Sequence, residues 1–170
     1  ELLFGGINGI TTFFPEKIRS NKRVPTVQFT DFLINSKRVP IGTKDSPQNI
    51  HINESRNITL AYNQAYITFK FAALSYINPE KNQYAYKLKG FLNDDWHYVG
   101  NQRTATYTNL SAGTYEFLVK SANNDGLWNE TPASIFIRVL PPWYKTWWAY
   151  ACYLAVFCTL LYFFYYFSYK

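Results

Sequence analysis

Few side chains in this 170-residue chain are placed to do chemistry. The carboxylate pair Asp94 and Asp95, Glu116, and the two histidines His51 and His97 are the candidates for acid–base work. Adjacent carboxylates on a turn project apart, and no third group is spaced to orient either histidine. No catalytic and no cofactor-binding residue is therefore expected. Asn123, Asn124 and Asp125 offer oxygens of the kind calcium accepts, but the further carboxylates such a cation needs are missing from the run. With Gly126 they read instead as a turn, since Asn, Asp and Gly tolerate positive φ. Cys152 and Cys158 stand six positions apart in an apolar run, on different faces of any helix it forms, so they do not bridge each other. Everything before them is free of cysteine, and neither a metal site nor a disulfide framework is expected.

Aromatic chemistry is better represented. Fifteen Tyr, fourteen Phe and five Trp bring aromatics to 20%, while charged residues make up only 16%. Trp96, Tyr98 and Trp128 could stack on sugar rings, as a carbohydrate-binding module would require. That reading needs two or more exposed, coplanar rings; the competing one makes all three packing aromatics of a core or corner. The net charge of +6 is spread over Lys17, Arg19, Lys22, Arg23, Lys37, Arg38 and isolated lysines. No single face collects them and no groove-reading motif accompanies them, so no direct nucleic-acid contact is expected. Asn53, Asn57, Asn109 and Asn129 each head an Asn-x-Ser/Thr sequon, which would suit a glycosylated receptor. A chain rich in Asn and Thr also generates these by chance.

The elements that must carry these residues read as strands. Aromatic and β-branched residues suit a pleated, half-buried surface. Alternation places Val27 and Phe29 together in 26–34, Ile58, Leu60 and Tyr62 in 57–62, and Ile67, Phe69 and Phe71 in 65–73. Tyr84, Tyr86 and Leu88 share a face opposite Lys87 and Lys89. Short strands at 96–99 and 104–107 flank a turn at Gly100 and Asn101. Tyr115, Phe117 and Val119 align in 114–122, and Ile135, Ile137 and Val139 in 133–140. About eight strands at this spacing predict an all-β, immunoglobulin/fibronectin-III-like β-sandwich. Tyr115 follows Leu110 and Gly113 at the start of a long strand, the arrangement of a tyrosine corner whose hydroxyl bonds back to the upstream backbone.

Residues 149–167 carry no charge, Gly or Pro, and with Trp147 and Trp148 they approach the ~20 residues needed to span a hydrocarbon core. The cluster WYKTWW at 143–148 suits the headgroup layer, Tyr165, Tyr166 and Tyr169 supply a second belt, and Lys170 hints at a cytoplasmic far side. A buried core helix is the alternative, but a domain this small has nowhere to enclose one. The expectation is a C-terminal transmembrane α-helix. The opening ELLFGGINGI is no signal peptide, and the chain reads as a piece of something longer at both ends.

The runs YAYKLKGFLNDDW (84–96) and YVGNQRTATYTNLSAGTYEFLVKSANNDGLWNE (98–130) resemble the three-tyrosine (Y-Y-Y) domain of bacterial hybrid two-component sensor histidine kinases. Its signature falls on Tyr84, Tyr86, Leu88, Gly90, Trp96, Asn109, Leu110, Gly113, Tyr115, Asn124, Gly126 and Trp128, departing at Leu92, where the family often carries Asp. Leu3 to Ile10 with Phe13, Phe14 and Pro15 look like the closing strand pair of a sensor propeller blade. Pro141, Pro142 and Trp143, followed by Trp147 and Trp148, resemble the junction into the membrane. The resemblance implies residues 1–24 as propeller remnant and linker, 25–140 as sandwich and 141–170 as juxtamembrane segment and helix. It further implies an oligosaccharide bound by the upstream propeller, relay through the sandwich to a cytoplasmic kinase, a homodimer, and control of carbohydrate-utilisation genes. The sandwich would lie in the periplasm, anchored in the inner membrane. The apolar segment 2–14 is expected to pack on the sandwich or to pair with a second copy. Pro141 and Pro142 fix φ and donate no N–H, which suits a short stiff joint and suits equally the simple termination of the strand.

Overall fold

The computed structural model describes residues 1–7, 9–17, 20–40, 42, 51, 52, 54, 56–64, 66–92 and 94–169. Arg19, the sequon Asn53, Ala65 and Lys170 lie outside them. The strands are β1 (Leu2–Gly6), β2 (Gly9–Phe13), β3 (Val27–Ile34), β4 (Lys37–Arg38), β5 (Asn57–Leu60), β6 (Tyr66–Ala73), β7 (Gln83–Lys89), β8 (His97–Gly100), β9 (Thr104–Thr108), β10 (Gly113–Ala122) and β11 (Ala133–Val139). One helix, α1 (Trp147–Ser168), closes the chain.

β3 to β11 build the predicted sandwich from a five-stranded sheet, β5-β11-β10-β7-β8, and a four-stranded sheet, β4-β3-β6-β9. Neighbours pair antiparallel except β5, which lies parallel to β11. The alternation read from the sequence is what the two sheets bury. Phe29, Phe32, Ile67, Phe69 and Phe71 face Tyr84, Leu88, Phe117, Val119, Ile135 and Ile137, all essentially inaccessible. Phe69 and Phe117 stack across the gap at 4.6 Å between ring centroids and 14° between planes, joining the sheets at their centres.

Three expectations are sharpened by the structure. The strands at 97–100 and 104–108 flank the expected turn, closed by the Gln102 N–H donating to the Val99 carbonyl at 3.2 Å, but they do not pair with each other. β8 pairs with β7 and β9 with β6, so the chain crosses from one sheet to the other at Gly100–Gln102. Alternation reports which side chains face inward but not which strand lies alongside, and Gly100 at φ +59° serves a crossover as well as a hairpin. Tyr62 lies beyond the end of β5 and is half exposed rather than on the core face. Of the two outcomes expected for the segment 2–14, packing on the sandwich is not the one found; pairing with a second copy is the other. β1 and β2 pair with each other, Phe4 stacks on Phe13 at 5.7 Å, and Leu3 and Ile10 stay 65% and 72% exposed. Pairing within the hairpin satisfies one edge of each strand and leaves the apolar faces open.

Candidate functional site

The signature residues divide into a structural set inside the sandwich and two junction sets at its ends. Tyr115 is buried, and its hydroxyl donates to the Ser111 carbonyl at 2.8 Å, closing the predicted tyrosine corner where β9 of one sheet gives way to β10 of the other. Asn109 holds φ +55° in that crossover, a conformation Asn tolerates better than most residues. Tyr84 is buried against Phe71 and accepts the Ala73 N–H at 3.1 Å, tying β7 to the opposite sheet. Leu88 is buried beside it, and Leu110 under the corner. Gly90 sits at φ +85°, and a Cβ there would lie 3.1 Å from the Thr114 carbonyl oxygen, so both conformation and space require glycine. Gly113 needs neither: a Cβ would meet only the Tyr115 ring at ordinary distance. Leu92, the departure from the signature, stands 90% exposed at φ +30°, so it is not without cost.

Trp96 and Trp128 are half-buried and Tyr98 is exposed; all three lie outside the inter-sheet core, where the two tryptophans pack on the surface of the sandwich. They gather on the outer face of the five-stranded sheet around Lys120, whose ammonium sits 4.7 Å from the Trp96 ring, 5.4 Å from Trp128 and 5.8 Å from Tyr98. Lys87 approaches Trp96 at 5.0 Å. The cluster roofs Ala85, Leu118 and Ala122, outward-facing residues that are nevertheless buried. Tyr98 is 64% exposed and Trp128 half-buried, and they stand at 90° to each other, so this pair provides no coplanar platform for a sugar ring. The cluster is a second, smaller core built on cation–π contacts.

The acid–base candidates do not converge. Glu116 pairs with Lys89 at 2.8 Å, Asp94 accepts the Gly90 N–H at 3.3 Å, and His97 lies exposed beside the Tyr86 ring. Among the described residues no three His, Cys, Asp or Glu side chains gather as metal ligands. Asn123 is wholly buried and fully engaged by protein groups: its amide donates to the Asn21 and Arg23 carbonyls, and its oxygen accepts the Asp125 and Leu127 N–H groups at 3.0 Å. Asn129 is buried too, donating to the Pro25 carbonyl at 2.9 Å, so its sequon has no free side chain to carry a glycan. Sequence reasoning found the turn but missed its attachment to Asn21, Arg23 and Pro25, about a hundred residues earlier. No periodicity or spacing marks that link.

Two groups of titratable residues are perturbed. Burial raises the Asp31 carboxyl, but its pair with Arg38 at 2.9 Å, the Phe32 N–H and the charge of Lys70 outweigh this and leave it below the usual value. Burial raises the phenols of Tyr86 and Tyr107, the latter strongly and with a contribution from Tyr86. Among the described residues the Tyr107 hydroxyl, which is buried, finds no hydrogen-bond partner.

At the opposite end β11 leads straight to the helix. Leu140 N–H donates to the Leu60 carbonyl at 2.9 Å, Pro142 is extended at φ −65° and ψ 146°, and one 3-10 turn (Trp143–Lys145) precedes α1. Tyr144 meets Tyr62 edge to face at 6.3 Å, which ties the turn to the end of β5. Trp143, Trp147 and Trp148 are exposed around the helix start. α1 is 22 residues long with mean hydropathy 1.6 over its most apolar window, and that window is exposed along its length. It is long and apolar enough to cross a membrane.

Residues 75–140 match the family model of the Y_Y_Y domain. This chain carries a Y_Y_Y domain. The matched region holds β7 to β11, so the Y_Y_Y stretch supplies most of the five-stranded sheet, and β3 and β6 complete the core around Phe117. The chain is 40% identical over 150 residues to Histidine kinase P4 of Formosa agariphila, an alignment covering 88% of this chain and 11% of that protein. Two solved extracellular domains of B. thetaiotaomicron proteins assigned to the hybrid two-component systems are similar. One aligns with a TM-score of 0.62 and 31% identity over 82% of this chain and 18% of that one. The other gives 0.59 and 30% over 72% and 16%. The Y_Y_Y chain thus spans about a tenth of the kinase and under a fifth of each extracellular domain. Extracellular relatives together with α1 describe a membrane-anchored protein whose sandwich lies outside the cytoplasm.

Proposed function

We propose that this chain is the membrane-proximal relay and dimerisation segment of a hybrid two-component sensor histidine kinase. The sandwich stands in the periplasm and α1 crosses the inner membrane. An oligosaccharide is sensed by a propeller upstream, to which the hairpin of β1 and β2 belongs. The kinase on the cytoplasmic side carries the response to carbohydrate-utilisation genes, and the receptor works as a homodimer. The single observation that supports this reading best is the short junction between β11 and α1. Two prolines and one 3-10 turn separate the last strand from the helix, and Tyr62 braces that turn from β5. A connection this short passes a displacement of the sheet to the helix with little slack. Inserting four glycines after Pro142 in the full-length kinase tests it. The expected outcome is kinase autophosphorylation that no longer responds to the inducing oligosaccharide; an unaltered response would overturn the relay role.

A further inference from the structure

The chain enters the sandwich through residues 20–25, a stretch without regular secondary structure that precedes β3. Six unrestrained residues would be a poor mechanical input. A flexible segment of that length has an end-to-end distance of roughly 12–15 Å, enough to absorb a displacement of a few ångströms before the sandwich felt it. In this molecule the stretch is fastened. Asn21 donates its backbone N–H to Asp125 and its side-chain amide to Asn124 at 2.9 Å. Asn123 grips the Asn21 and Arg23 carbonyls from beneath, and Asn129 and Ser121 both donate to the Pro25 carbonyl. Asn123, Ser121 and Asn129 are buried, so these bonds are protected from competing water. The partners are all on the end of β10 and in the turn that leads to β11.

We propose that Asn123 and Asn129 form a latch, clamping the strap 21–25 onto the β10–β11 turn so that movement of the chain ahead of β3 is delivered to β10 and β11. β11 is the strand that leads to Pro141 and the helix, so input and output meet on one hairpin. This rests on the relay reading above. The side-chain chemistry explains why amides are used at both positions. Each oxygen stays within the turn, accepting Asp125 and Leu127 N–H groups at Asn123 and the Thr131 N–H at Asn129. Each nitrogen faces the strap. An aspartate would keep the turn and lose the latch.

Asn123→Asp and Asn129→Asp therefore separate the two roles, and Asn21→Ala removes a strap-side contact without touching the turn. The 170-residue chain is reconstituted in nanodiscs and followed by amide hydrogen exchange. A second measurement uses the distance distribution between spin labels at Thr12→Cys and Thr106→Cys, with both native cysteines changed to Ser. In Asn123→Asp, exchange across 20–26 is expected to accelerate at least tenfold while β6 and β10 keep their protection, and the label distribution is expected to broaden. Asn129→Asp and Asn21→Ala should shift both readouts in the same direction to a smaller degree. Unchanged exchange and an unchanged distribution in all three variants would overturn the latch. Neither readout depends on kinase output, so the latch can fail while the relay survives, and the glycine insertion after Pro142 can fail while the latch stands.

Discussion

The hydroxyl of Tyr115 donates to Ser111 at 2.8 Å, whereas that of Tyr107 is buried with no partner among the described residues, and the two phenols should answer the same substitution in opposite ways. Tyr115→Phe leaves the Ser111 carbonyl without its donor and should cost about 1 kcal/mol in urea unfolding. Tyr107→Phe removes a hydroxyl whose desolvation nothing offsets, so stability at pH 8 should be unchanged or slightly higher. The pH dependence follows from the same burial. A phenol raised above its ordinary value of 10.0 favours the neutral form in the fold. The stability this carries is complete below that value and disappears as pH climbs through the raised one. Tyr107→Phe should accordingly flatten the loss of stability as pH rises above about 10, with the remaining slope assigned in part to Tyr86, raised by its own burial. Asp31 works at the other end of the scale. Its carboxyl is held below 3.8, so its contribution is present at neutral pH and is lost as pH falls through the lowered value. Asp31→Asn should remove that acid-side component in the same unfolding series.

β10 is the element on which the fold turns: β7 and β11 pair with it on either side, Tyr115 anchors its start, and Phe117 meets Phe69 and Phe71 of the facing sheet. Truncating Phe117 to Ala empties the centre of the sandwich and should cost about 3–5 kcal/mol, read from the denaturation midpoint. The strand was legible in the sequence because Tyr115, Phe117 and Val119 alternate with Glu116, Leu118 and Lys120, and so were β3, β6, β7 and β11. β4 was not, since two residues, Lys37 and Arg38, hold no period. The partnering of β8 escaped too, because alternation carries no information on neighbours. Ala85 and Leu118 alternate with inward-facing neighbours and yet are buried; on the same outer face Trp96, Tyr98 and Trp128 converge on Lys120, and their sequence positions give no hint of it. The corner at Tyr115 was legible because its chemistry is local, four residues from hydroxyl to acceptor. The grip of Asn123 on Asn21 and Arg23 spans about a hundred residues and was invisible. At the turn after β7, Leu92 holds a positive φ while fully open to solvent; Leu92→Asn should recover up to about 1 kcal/mol, because Asn tolerates that conformation better.

At the scale of the whole molecule, the sandwich and α1 bury apolar residues against different environments. The core between the sheets is closed without the helix: Phe29, Phe32, Phe69, Phe71 and Phe117 are all covered by other strands. Apart from Ala149, buried in its first turn, α1 presents its apolar side chains outward. It meets the rest of the chain at Pro141, Pro142, the Tyr62–Tyr144 contact and the Tyr153 hydroxyl donating to the Tyr144 carbonyl. On the relay reading proposed above, a helix of this length with an apolar, exposed surface is covered by lipid, and the exposed Trp143, Trp147 and Trp148 would sit at the headgroups. If that division holds, ending the chain after Pro142 removes the membrane anchor and little else. The shortened protein should stay in solution without detergent and unfold within about 4 °C of the full chain, a difference of under 1 kcal/mol for a domain of this size. The full chain should partition into vesicles. A fall in melting temperature beyond 10 °C on truncation would mean that α1 packs against the sandwich instead, and the short junction would then be a core contact rather than a route to the membrane.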